Sequence, residues 1–155
     1  MEFSAKVRTC LTFEKNGHEA AEFYVSLLPN SAIENRIYPD ENGAPMVVEF
    51  NLSGAPYMIL NGPSFPTSEA ASISVLTEDQ EETDHLWAAL IADGGAESQC
   101  GWLKDRFGIS WQIVPKTLPL LLNNPDREGA DRAMRAMLTM SKINVAAIEA
   151  AFNAK

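Results

Sequence analysis

The feature that most restricts what this chain can fold into is a pattern used twice: a short apolar strand, an amphipathic helix, then a run of further strands. In the first helix Ala20, Phe23, Tyr24, Leu27 and Leu28 recur at i, i+3, i+4, i+7 and i+8. In the second, Thr83, Leu86, Trp87, Leu90 and Ile91 do the same. Each set makes one apolar stripe that faces a core. The helices start about 61 residues apart, from Asn16 to Thr77, which implies that one supersecondary unit is repeated.

The flanking segments give the unit its order. Val7 to Phe13 reads as a strand, and Asn16 with Glu19 three residues on has the spacing of a capping box. Pro29 stops the helix. Ile33 to Tyr38 is the next strand, closed by the turn-rich run Pro39 to Gly43. Met46, Val48, Phe50 and Leu52 then alternate with Val47, Glu49 and Asn51, as a strand with one dry face should, and Ser53 with Gly54 makes a tight hairpin into Tyr57 to Asn61.

After the loop GPSFPTSEA the order begins again, with a strand from Ala71 to Leu76 and a helix that Thr77 and Gln80 would cap. Gly94 and Gly95 offer a left-handed exit, and short strands fit Glu97 to Gln99, Trp102 to Asp105 and Ile109 to Val114. Beyond Pro115 the character changes to helix. Asn124 and Pro125 read as N-cap and first helical position, with Ala130, Ala133, Met134, Met137 and Leu138 as the stripe. Asn144 caps a last short helix, across which Ile143 and Ile148 have the spacing of a hydrophobic staple. This tail packs on the body or on a second subunit. The expectation is one α+β domain over residues 1–155, with modules at about 7–61 and 71–114 and a helical tail at 116–155.

Composition bounds the partners. A hydrophobic content of 46% can bury a real core, and a net charge of -9 repels a nucleic-acid backbone or an anionic membrane surface. No apolar run has the roughly 20 residues of a membrane span, and the start MEFSAKVRTC lacks a basic segment followed by a long apolar stretch. Cys10 and Cys100 have no CxxC spacing and read as reduced thiols. A cytoplasmic protein with a small-molecule ligand or a second copy of itself as partner is expected, with no nucleic acid and no membrane.

Three segments point further. QCGWLKDRFGISWQIVP at Gln99 to Pro115, FYVSLLPNS at Phe23 to Ser31 and LNGPSF at Leu60 to Phe65 together resemble the PhnB-like branch of the glyoxalase, bleomycin-resistance and dioxygenase superfamily, also called vicinal oxygen chelate. The resemblance runs from about residue 7 to the C-terminus. It implies two βαβββ modules forming a curled mixed sheet around a pocket, pairing as homodimers, and in many members a divalent metal. It also implies a likeness to a 3-demethylubiquinone-9 3-methyltransferase, the description this branch often carries. The metal users draw ligands from the first and last strands of each module. Here Val7 to Phe13, Tyr57 to Asn61, Ala71 to Leu76 and Ile109 to Val114 contain no His, Asp or Glu on either face. Gln112 stands where metal-using relatives carry a glutamate, and a neutral amide is a poor metal ligand but a good hydrogen-bonding group. A metal-free pocket without cofactor is expected.

The candidate ligand contacts follow from alternation. Trp111 and Ile113 belong against helices, which turns Gln112 to the concave side; Ser74, beside Ser72, joins it from the first strand of the module. Asn61 ends the matching strand of the first module and by the repeat reaches the same cavity, unless these amides only satisfy backbone groups. Trp102 walls the pocket or anchors the core. Cys100 is a further contact, although a nucleophilic thiol needs a neighbouring base or cation and only Lys104 and Arg106 are close in sequence. Cys10 reads as a small core residue, Asp105 as a turn residue that accepts backbone hydrogen bonds, and neither His18 nor His85 has a catalytic constellation beside it. The functions that fit are a metal-independent enzyme or small-molecule handler of this superfamily and a resistance-type sequestering protein. A methyltransferase fits less well, since no GxGxxG turn follows a strand. Whether the chain is an enzyme stays open.

Overall fold

A computed structural model describes residues 1–155. Contacts divide it into two units, Met1–Pro66 and Thr67–Lys155.

In the first unit the chain runs through β1 (Thr9–Phe13), α1 (Gly17–Leu27), β2 (Ala32–Ile37), β3 (Val47–Leu52) and β4 (Ala55–Asn61). The sheet order is β1-β4-β3-β2, with β1 parallel to β4 and Phe13 level with Asn61. Ser53 and Gly54 both take positive φ, 47° and 87°, the twist that lets a two-residue turn join β3 to β4. Ala20, Ala21 and Tyr24 of α1 are fully buried, as are Phe50 and Ile59 of the sheet. Gly17 permits the helix to begin this close to β4, because a Cβ there would lie 2.2 Å from Ile59 Cγ2. The helix is not capped as expected. Asn16 makes no side-chain bond; the Gly17 N–H instead donates to Asn61 Oδ1 at 2.9 Å, so the cap comes from the end of β4.

The second unit comprises β5 (Ile73–Thr77), α2 (Gln80–Ile91), β6 (Ala96–Glu97), β7 (Trp102–Lys104), β8 (Ser110–Pro115), α3 (Thr117–Leu122), α4 (Arg127–Met137) and α5 (Val145–Asn153). Its sheet order, β5-β8-β7-β6, reproduces that of the first unit strand for strand, again with the outer pair parallel. The repeat inferred from the helical stripes is thus a repeat of topology. Each unit carries a four-stranded mixed sheet, and the fold class is α+β.

Two caps shift from their expected positions. Thr77 is the last residue of β5 and is buried, its hydroxyl 2.7 Å from that of Thr83, while Asp79 caps α2 by accepting from the Glu82 N–H at 2.9 Å. Likewise Asp126, not Asn124, caps α4 through the Gly129 N–H at 3.0 Å; Asn124 accepts from the Asp126 N–H at 2.9 Å and forms the turn before it. The left-handed exit of α2 falls on Asp93 and Gly94, whose φ values are 56° and 111°; Gly95 is extended and admits no Cβ, which would stand 2.5 Å from the Leu90 carbonyl. Asn144 caps α5 as expected, accepting from the Ala147 N–H at 2.9 Å. Ile143 and Ile148, both fully buried, join Leu118 in a small core of the tail. Gln80 ties that tail to α2, donating to the Ile143 carbonyl at 3.1 Å and accepting from the Val145 N–H at 2.7 Å. No helix is long and apolar enough to cross a membrane.

Candidate functional site

Strand β8 lies inside its sheet, between β5 and β7, so both of its edges are paired. Trp111 and Ile113 are buried on the side where α2 packs. The Trp111 indole N–H donates to Asp105 Oδ2 at 2.9 Å. Asp105, only 2% exposed, also accepts from the Phe107 and Ile109 N–H groups at 2.9 and 3.0 Å. Its expected turn role therefore extends to holding the largest side chain of the strand.

On the face away from α2, Gln112 stands level with Ser74 of β5 and with Trp102 of β7. Residues directly opposite on neighbouring strands share a face, so three candidates form one row across three strands. Gln112 donates through Nε2 to Ser72 Oγ at 2.8 Å, which fixes the orientation of its amide. Gln112 and Trp102 are half-buried and Ser74 is exposed. Beside the row a groove of about 140 Å³ is lined by Glu69, Ala96, Glu97, Ser98, Trp102, Leu103, Lys104 and Ser110, with the Glu97 carboxylate taken up by the Trp87 indole N–H at 2.7 Å. Lys104 is one rung from Trp102 on the same face, level with Ser110, and its ammonium is 3.0 Å from Glu69 Oε1. In the sequence Lys104 stands out only as a neighbour of Cys100. The alternation of Trp102 and Lys104 was the signal that puts it on this face; Glu69 left no periodic signal in its loop.

The other candidates sit elsewhere. Asn61 alternates with Leu60 and lies on the α1 side of its sheet with Ile59; its amide accepts from Gly17 and donates to the Pro45 carbonyl at 2.8 Å. The register sets Phe13–Asn61 against Thr77–Pro115, so the residue that corresponds to Gln112 is Met58. The equivalence expected between Asn61 and Gln112 does not hold, because it was counted from strand ends and not from paired rungs. Cys100 lies in the turn between β6 and β7 with φ 57°, and its N–H donates to the Met140 carbonyl at 2.8 Å. Cys10 is exposed, contrary to the core reading, since β1 turns Leu11 and Phe13 toward α1 and Cys10 away. His18 keeps its Nδ1 buried with no hydrogen-bond partner, and His85 is exposed.

No group of three or more His, Cys, Asp or Glu side chains is placed to hold a metal ion. An amide, a hydroxyl and an indole do not make the donor set of a divalent metal. What the row offers is a directional acceptor and donor, a small hydroxyl and a flat aromatic surface, groups of the kind that can hold and orient a ligand.

The family model described as 3-demethylubiquinone-9 3-methyltransferase matches residues 5–114, both βαβββ units. The chain belongs to that family. Among solved structures, this member of the 3-demethylubiquinone-9 3-methyltransferase family is similar to a PhnB protein from Bacillus cereus that carries the same description. They share 32% identity over 72% of this chain and 99% of the other, with a TM-score of 0.64. Protein PA1353 from Pseudomonas aeruginosa is 20% identical over 72% of this chain and 98% of its own, with a TM-score of 0.60. The fosfomycin resistance protein FosX from Listeria monocytogenes is 16% identical over 79% and 100%, with a TM-score of 0.56. The latter two likenesses are of fold. The fold shared with the PhnB protein and with FosX is in keeping with the resemblance carried by the three sequence segments. No match was found among curated proteins.

Proposed function

We propose that this chain is a metal-independent small-molecule-binding protein whose ligand lies on the face of β8 away from α2, held by Gln112, Ser74 and Trp102. The observation that carries this reading is the row itself: two hydrogen-bonding side chains and a half-buried indole, level on three adjacent strands and backed by a packed helical layer. A rigid sheet presents such groups with little entropy left to lose on binding. Amide, hydroxyl and indole groups do not ionise near neutral pH, so holding a ligand suits them better than acid-base turnover. This favours the sequestering role over the methyltransferase of the family description. A single domain over 1–155, a homodimeric state and a cytoplasmic location belong to the same reading.

Native mass spectrometry of the purified chain tests it. An organic mass is expected to accompany the protein, without a metal ion, and to be lost in Gln112→Leu and in Trp102→Leu. An adduct retained at full occupancy in both variants, or a stoichiometric metal, would overturn the reading.

A further inference from the structure

On the premise that a ligand lies on the row at Gln112, the geometry points to its class: we infer that it is a single planar ring bearing an anionic oxygen group, and that Lys104 reads the charge while Glu69 stands in for it when the site is free. Three observations carry this.

The first is the charge inventory of the face. Alternation turns Leu76 of β5, Ser110 and Val114 of β8 and Ala96 of β6 to the same side as the row, and Lys104 is the single charged side chain that the strands place there. In a chain with 21 acidic and 12 basic residues, a lone cation beside the indole is a specific feature. The second is the partner of that cation. The Lys104 ammonium is 3.0 Å from Glu69 Oε1, with the two side chains 43% and 67% exposed. Glu69 lies in the segment ahead of β5, outside any strand or helix. An exposed pair of this kind contributes little to stability, so an anionic group arriving on the sheet exchanges with the carboxylate at small cost. The third is size. The groove of about 140 Å³ lined by Trp102, Lys104 and Glu69 is close to the roughly 150 Å³ that accommodates one benzene ring. The Trp102 face suits a planar ring and Lys104 supplies a compact point charge for its substituent, while Gln112, level with Trp102 on the next strand, borders the groove without lining it.

Salicylate and salicylamide are matched probes, alike in ring and hydroxyl but differing in charge. Ligand-observed NMR titrations of the full chain are expected to show salicylate binding more tightly than salicylamide, with the gap narrowing as salt is added. Lys104→Met should weaken salicylate by about tenfold and leave salicylamide unchanged. Glu69→Gln should tighten salicylate by about threefold, by removing the competing carboxylate. Equal effects of Lys104→Met on the two probes, no effect on either, or no salicylate binding to the parent chain at millimolar concentration would overturn the inference. Trp102→Leu separates it from the reading on which it rests. If that variant loses both probes while Lys104→Met leaves their ratio intact, only the anion inference fails. If Trp102→Leu and Gln112→Leu retain both probes in full, the ligand site itself is wrong.

Discussion

Gln112 and Asp105 are close in sequence but differ in role: Gln112 is half-buried with one side-chain bond, to Ser72, and Asp105 is buried with its carboxylate bonded to the Trp111 indole and two backbone N–H groups. Replacing Gln112 by Leu removes a hydrogen-bonding group whose protein partner is the half-buried Ser72 hydroxyl, and on the proposed reading it is expected to weaken a ligand held there by about 1–3 kcal/mol while the fold survives. Titration calorimetry on the retained ligand, alongside an unchanged urea midpoint, checks both halves. Asp105→Ala behaves in the opposite way. It leaves the buried Trp111 indole and two backbone N–H groups without their acceptor, and a loss of about 2–5 kcal/mol is expected from urea unfolding at unchanged slope.

At the scale of elements, the helix starts distinguish caps that look right from caps that bond. Asn61→Ala and Asn144→Ala should each cost about 1 kcal/mol, the former through α1 although it lies 44 residues away from Gly17. Asn16→Ala, at the cap position of the same helix but without a side-chain bond, should stay within about 0.5 kcal/mol. Thermal midpoints of the three variants decide this, and an Asn16 effect larger than that of Asn61 would reverse the assignment. Sequence alone made Asn16, Thr77 and Asn124 good caps because each is a short polar residue ahead of an apolar stripe. Asp79 and Asp126 took two of these places once β5 had run on through Thr77 and Asn124 had closed its own turn.

For the whole molecule, acid should loosen both units. Lys142 and then Gln80 bond the ionised Asp84 carboxyl and hold it below its ordinary range, outweighing the desolvation that raises it. Burial raises Glu34, but bonds from Arg8, Ser4 and Asn51 together lower it by more. A carboxyl whose folded pKa is depressed contributes stability that is present above its unfolded pKa and is lost as pH falls through the folded value. Stability is therefore expected to decline below the ordinary carboxylate range, and Asp84→Asn should flatten that acid limb, as urea midpoints measured across pH would record. The homodimer is tested by sedimentation at micromolar concentration, where a species at twice 17.0 kDa is expected and one at 17.0 kDa would refute it.

The sequence by itself determined the order of elements, the duplication and the faces of the strands, because periods of 2 and 3.6 are local and each residue carries its own side of the pattern. That is why Trp111 and Ile113 could be set against the helices and Gln112 away from them before any pairing was known. Tertiary structure decided the rungs. Which residue of β8 stands level with Ser74 and Trp102, that Asn61 corresponds to Pro115, and that Glu69 reaches Lys104 all depend on pairing between distant segments. A shift of one residue in that pairing leaves the local pattern of each strand unchanged yet exchanges every neighbour across the sheet, so register is settled only when the sheet forms.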